Sequence, residues 1–160
     1  MATFTTALYN SQIGAAGQSA NVGFSLERDS QGKKRTAIIS YTALGTEATN
    51  DLVKLVQLPI GAKVLATSSQ ILTDATVGTA VTVRVGDQTT ANRWAGTIDI
   101  SAGGFFPFTN TLGAELTPVA VVGASTNPAT ADNVATLKFV AVTAITAGKV
   151  INVFLTYVLP

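Results

Sequence analysis

From residue 21 onward, apolar and polar positions alternate along this chain with a period of two. Val22, Phe24 and Leu26 are separated by Asn21, Gly23 and Ser25. Successive side chains on a strand point to opposite faces, so these three share one face. Ile38, Ile39 and Tyr41 place a second strand over residues 36–43, and Leu52, Val56 and Leu58 place a third over 52–58. After the break at Pro59-Ile60-Gly61, one long strand is expected from Lys63 to Thr73. Val81, Val83 and Val85 then alternate with Ala80, Thr82 and Arg84, the pattern of a half-buried strand. Trp94, Gly96, Ile98 and Ile100 share one face of the next. Residues 105–116 read as irregular, 117–122 as strand-like, and 135–143 and 149–158 as the last two strands. The final strand is apolar on both faces, with Ile151, Val153, Leu155 and Tyr157 on one and Val150, Phe154 and Val158 on the other. Such a strand is central in a sandwich or lies in a subunit interface.

Turn chemistry punctuates these runs. Asp29-Ser30-Gln31-Gly32 reads as a turn, Gly86-Asp87 opens a polar loop, and Gly123 to Asn133 forms a long loop around Asn127-Pro128. No helical period is sustained, although residues 44–52 and 126–133 have room for a short helix. Roughly nine strands at this spacing predict an all-β fold, an antiparallel β-sandwich of jelly-roll-like kind. Residues 1–20 have few large apolar groups after Ile13 and are expected to form an extended N-terminal arm, frayed or ordered by a partner. Residues 21–160 then make one sandwich domain, the number expected for 160 residues.

Composition narrows the function. The chain has no His and no Cys. A Ser-His-Asp triad, a Cys nucleophile, a disulfide and a His- or thiolate-based metal site are therefore all unavailable. Charged residues are 12% of the chain, about half the ~25% usual in soluble domains, and the net charge is +1. Lys33-Lys34-Arg35 is the one adjacent basic trio; it reads as a solvated hairpin tip and is too small for a nucleic-acid footprint. No apolar run approaches the ~20 residues that span a bilayer. The start, Met1-Ala2-Thr3-Phe4-Thr5-Thr6, has no signal-peptide pattern, so synthesis in a cytoplasm is expected. A mean hydropathy of +0.39 with so few charges predicts an oligomer.

Candidate chemistry is sparse. Most of the acids sit beside Gly, Ser, Thr or Asn, where a carboxylate commonly caps backbone amides, so a catalytic pair is not expected. No phosphate loop, dinucleotide turn or nucleophile elbow occurs, and no cofactor or metal is expected. Trp94 reads as core because Ile98 and Ile100 share its face; its alternative is a sugar-stacking platform. Phe105, Phe106 and Phe108 cannot all face one side of a strand: either a loop folds them into the core or one or more lie in an interface.

Four stretches carry a resemblance. Leu58-Pro-Ile-Gly-Ala-Lys-Val-Leu65, Val81-Thr-Val-Arg-Val-Gly-Asp87, Ala91-Asn-Arg-Trp94 and Ile98-Asp-Ile-Ser101 resemble the phrasing of small structural proteins of tailed bacteriophages. The likeness covers roughly residues 55–105 and carries no catalytic motif. It implies a capsid decoration (cement) protein or head fibre: a jelly-roll-like homotrimer on the exterior of the virion capsid, bridging capsomers of the major capsid protein. No nucleic acid, membrane or small-molecule substrate is implied. Candidate partner contacts are Phe4, Tyr9 and Ile13 in the arm and Phe105, Phe106 and Phe108. The competing reading is a receptor- or carbohydrate-binding module of a tail fibre or adhesin, with its site at 87–94 or 123–133.

Overall fold

A computed structural model describes residues 1–6, 34–59, 62–108, 119–120 and 133–158. The strands are β1 (Thr3–Thr5), β2 (Lys34–Thr42), β3 (Leu52–Gln57), β4 (Lys63–Val64), β5 (Gln70–Thr73), β6 (Gly78–Thr79), β7 (Thr82–Gly86), β8 (Ala95–Asp99), β9 (Gly104–Pro107), β10 (Val119–Ala120), β11 (Val134–Ala141), β12 (Ala144–Ile145) and β13 (Val150–Val158). The one helical element among the described residues is a 3-10 turn at Ala66–Ser68. The expected all-β fold is therefore the observed one.

Two sheets enclose a single core. The first has the order β1-β3-β11-β7-β8. The second runs β10-β4-β13-β5-β9, with β2 along the other side of β13. A two-stranded ribbon, β12-β6, stands apart. Among the described residues all strand pairings are antiparallel except β1 with β3, which is parallel from Thr3↔Leu52 to Thr5↔Lys54. The first residues of the expected arm thus form a sheet strand, and Phe4 packs against the core.

Periodicity explains the core. Ile151, Val153, Leu155 and Tyr157 of β13 are buried at alternate positions, as are Ala37, Ile39 and Tyr41 of β2. β13 is the central strand of its sheet, pairing along all of β2 on one edge and with β4 and β5 on the other. Val53 and Leu55, Val83 and Val85, and Leu137 and Phe139 supply the facing layer. Tyr41 stitches the layers together, its ring 6.2 Å from Phe4 and 6.4 Å from Phe139, within aromatic pairing range.

The expected single strand from Lys63 to Thr73 is in fact two. β13 pairs β4 through Tyr157↔Val64 and β5 through Phe154↔Gln70, and the residues between them leave the ladder. Hydroxyls replace the missing backbone bonds. Thr156 N donates to Ser69 Oγ at 2.9 Å, Thr156 Oγ1 donates to Ser68 O at 2.9 Å, and Leu65 N still reaches Thr156 O at 2.8 Å. The region expected to be irregular after residue 105 begins with an ordered edge strand, β9. There Pro107 is tolerated because a terminal strand position can dispense with a donor. Residues 44–51 form turns, not a helix. The expected strand at Val22–Leu26, the turn at 29–32 and Lys33 lie outside the described residues. So does most of the 123–133 loop. Lys34 and Arg35 are half-buried at the start of β2.

Candidate interaction surface

The carboxylates do local work. Glu47 is buried and accepts from Tyr41 Oη at 2.5 Å, Leu44 N at 2.6 Å and Gly45 N at 2.9 Å. Burial, reinforced by this bond and the Glu47 charge, pushes the Tyr41 phenol far above its ordinary value. Asp51 accepts from Ala2 N at 2.5 Å and Ala48 N at 2.9 Å, and these amides hold its carboxyl below the usual carboxylate range. Asp99 accepts from Ser101 Oγ at 2.6 Å and Ser101 N at 2.9 Å, and is lowered for the same reason. Asp87 is fully buried; it accepts from Thr89 N at 3.0 Å and Thr90 N at 2.5 Å and pairs with Arg93. The expectation that these acids cap backbone amides holds for all four. Among the described residues no cluster of three metal-ligating side chains occurs.

Trp94 is 0% exposed and belongs to the core. It offers no face to a sugar, and the acid of the adjoining 87–94 loop is spent on that loop's own amides and Arg93. The phenylalanines separate by strand parity. Phe106 packs against the core and Phe108 is buried, whereas Phe105 points outward at 58% exposure. Tyr9 and Ile13 lie outside the described residues.

Phe105 is one corner of a larger surface. Across the outer face of the β13 sheet, one row runs Ile38–Phe154–Gln70–Pro107 and the next Ser40–Asn152–Leu72–Phe105. Ile38 is 53% and Leu72 37% exposed. No charged residue stands in either row; Lys34 and Lys63 flank Val158 at one end of the sheet. Several polar groups here are already bonded to each other: Ser40 Oγ donates to Asn152 Oδ1 at 2.6 Å, and the hydroxyls of Thr36 and Thr156 are 3.0 Å apart. The other sheet differs. Its outward positions include Lys54, Arg84, Lys138 and Asp99, with Lys138 directly opposite Arg84. The outer face of the first sheet therefore carries charges along its middle, whereas that of the β13 sheet confines its lysines to one end and is partly apolar between. Of these residues the sequence separated only Phe154, on the face opposite Ile151, Val153, Leu155 and Tyr157. Their alignment into rows depends on pairings between segments distant in sequence.

No protein-family description matches the sequence, and no curated protein matches it. Among solved structures, the chain is similar to a chain of the Cyanophage Pam1 capsid asymmetric unit. The two share 25% identity over 91% of this chain and 99% of that chain, with a TM-score of 0.60. It is also similar in fold to a chain of the capsid of Ralstonia phage GP4, at 19% identity over 99% of both chains and a TM-score of 0.61. The chain is thus related in structure to phage capsid chains.

Proposed function

We propose that this chain is a virion structural protein that binds the outer surface of a tailed-phage capsid and stabilises the shell by bridging capsomers of the major capsid protein. One observation carries the reading: its β-sandwich matches chains of phage capsid structures over 91% and 99% of its length. The chemistry is consistent with adhesion. Four acids are committed to local contacts and the single Trp is core, while a partly apolar stretch of sheet with an outward Phe is left at the surface. A protein that binds assembled shell and not free subunits stabilises the assembly by mass action, in proportion to its occupancy. Tyr9 and Ile13 are assigned to the shell contact. Copies of the chain associate with one another around a three-fold axis, which presents several such contacts at once and multiplies weak binding through effective concentration.

The test is attachment to particles. Purified protein added to undecorated shells should sediment with them and raise the temperature at which they rupture. Tyr9→Ala combined with Ile13→Ala should lower occupancy and leave the melting temperature of the free protein unchanged. Absence of wild-type protein from the sedimented shells overturns the reading.

A further inference from the structure

We infer that the long outer edge of β2 is the docking site of the chain's own segment Val22–Leu26, which adds to the second sheet as an antiparallel strand joined to β2 through the turn at Asp29-Ser30-Gln31-Gly32. This contact lies within one chain and is tested on the free protein, so its failure is separable from failure of shell attachment.

Four features select this occupant. The first is an edge that offers hydrogen bonds. Among the described residues β2 pairs only with β13, along its whole length. Ala43 N, next along the chain, donates to Lys149 O at 2.8 Å, so the odd-numbered amides of this strand face β13 and those of Thr36, Ile38 and Ser40 face away. An edge without Pro or Gly, its charges confined to Lys34 and Arg35, is a ready template for another strand. The second is tether. The segment is joined to β2 by a few residues, which sets an effective concentration of millimolar order, far above a micromolar second copy. The third is parity. A turn centred on Ser30-Gln31 places Val22 opposite Ile39, Phe24 opposite Ala37 and Leu26 opposite Arg35. Ala37 and Ile39 are buried on the inward side, so the apolar set turns inward and the large Phe24 meets a small neighbour. Asn21, Gly23 and Ser25 then stand outward, opposite Ser40, Ile38 and Thr36, the residues whose amides are turned to this edge. Glu27 falls opposite Lys34, a favourable cross-strand pair. A slip of one residue would send every apolar group outward. The fourth is space. β1 and β2 are edge strands of the two sheets, and between them lies a groove of about 480 Å³ with Phe4, Tyr41 and Leu44 among its lining. Val22, beside Tyr41 on the inward side, covers it.

The sequence contains no Cys, so paired cysteines read the register directly. Ser25→Cys with Thr36→Cys, and Asn21→Cys with Ser40→Cys, join outward positions at the ~5.5 Å Cα separation of a hydrogen-bonded pair, which a disulfide spans. Asn21→Cys with Thr36→Cys is the mismatched control, out of register by ~13 Å. Under mild oxidation at micromolar concentration, both matched pairs should cross-link within a single chain on a denaturing gel, at least ~10-fold faster than the control. Amide exchange gives a second reading. In the unsubstituted protein Ile38 and Ser40 should be protected about as strongly as Ile39, whose amide faces β13. Phe24→Asp should speed exchange at Ile38 and Ser40 by ~100-fold or more while Ile39 stays slow. If Phe24→Asp does not fold, the unsubstituted protein and the cysteine pairs decide the matter. The inference is overturned by open exchange at Ile38 and Ser40 in the unsubstituted protein, by a folded Phe24→Asp variant that leaves their exchange unchanged, by equal cross-linking of the mismatched control, or by cross-links that form only between chains, which would make a second copy the occupant.

Discussion

Tyr41→Phe isolates one hydrogen bond in the core and carries a pH signature. The substitution keeps the ring between Phe4 and Phe139 and removes only the oxygen that donates to Glu47 at 2.5 Å. A hydrogen bond to a charged acceptor contributes about 1.5–3 kcal/mol. Glu47 retains the Leu44 and Gly45 amides, so its remaining desolvation is partly compensated and a loss near 2 kcal/mol is expected. For a chain of this length that lowers Tm by about 4–8 °C at pH 7. The sign of the effect changes with pH. Because the folded phenol is raised above its unfolded value of about 10, its stabilisation is complete below that pH and is lost as pH climbs beyond it. The wild type should forfeit about 1.4 kcal/mol per pH unit above 10 on account of this residue, and the Phe variant should forfeit none. Tyr157, also raised by burial, affects both proteins equally and cancels. Thermal melts followed by circular dichroism should therefore show a gap that closes by about pH 11.5. A gap that stays constant from pH 7 to 11.5 refutes the reasoning.

Acid should act through different groups: Asp51 and Asp99 have lowered folded pKa values, so their contribution is present above about pH 4 and declines as pH falls further. Chemical denaturation should show a shallower acid limb for Asp51→Asn than for the wild type. Trp94 is the sole Trp and is buried, so native fluorescence should resist iodide quenching until the protein unfolds. Trp94→Ala should cost about 3–5 kcal/mol, measured by urea titration, and a loss under 1 kcal/mol would place the ring outside the core. Gly86→Ala should yield little folded protein in a solubility assay, because its Cβ would lie 2.1 Å from the backbone oxygen of Thr90.

Much of the architecture was legible because the period of two reports directly which side of a strand faces inward. β2, β3, β7, β11 and β13 fall where alternation placed them, and the doubly apolar β13 is central in its sheet. The interruption at Ala66–Ser68 was not legible, because Leu65 through Thr73 keeps a strand-like composition. What breaks it is a side-chain ladder from Ser69 and Thr156, residues 87 positions apart. The parallel docking of β1 was hidden for a related reason: Thr3-Phe4-Thr5 is too short to show a period, and its partner is β3. The division of Phe105 from Phe106 and Phe108 was left open by the sequence, because it needed both the strand β9 and its pairing with β5. The partly apolar outer surface of the β13 sheet was the least visible feature, since each strand contributes only one or two of its groups.

The strand order also constrains how the chain can be made. β11 joins β3 to β7, and β13 joins β2 to β4 and β5, so each sheet takes its middle from a segment translated after every strand it connects. While the ribosome is still short of residue 134, the nascent chain can hold only peripheral fragments such as the β7–β8 and β5–β9 pairs. Such isolated pairs are marginal in water. Completion must then await long-range closure, the slow kind. Apolar strands are left uncovered through most of elongation, the condition under which unpaired strand edges are prone to aggregate.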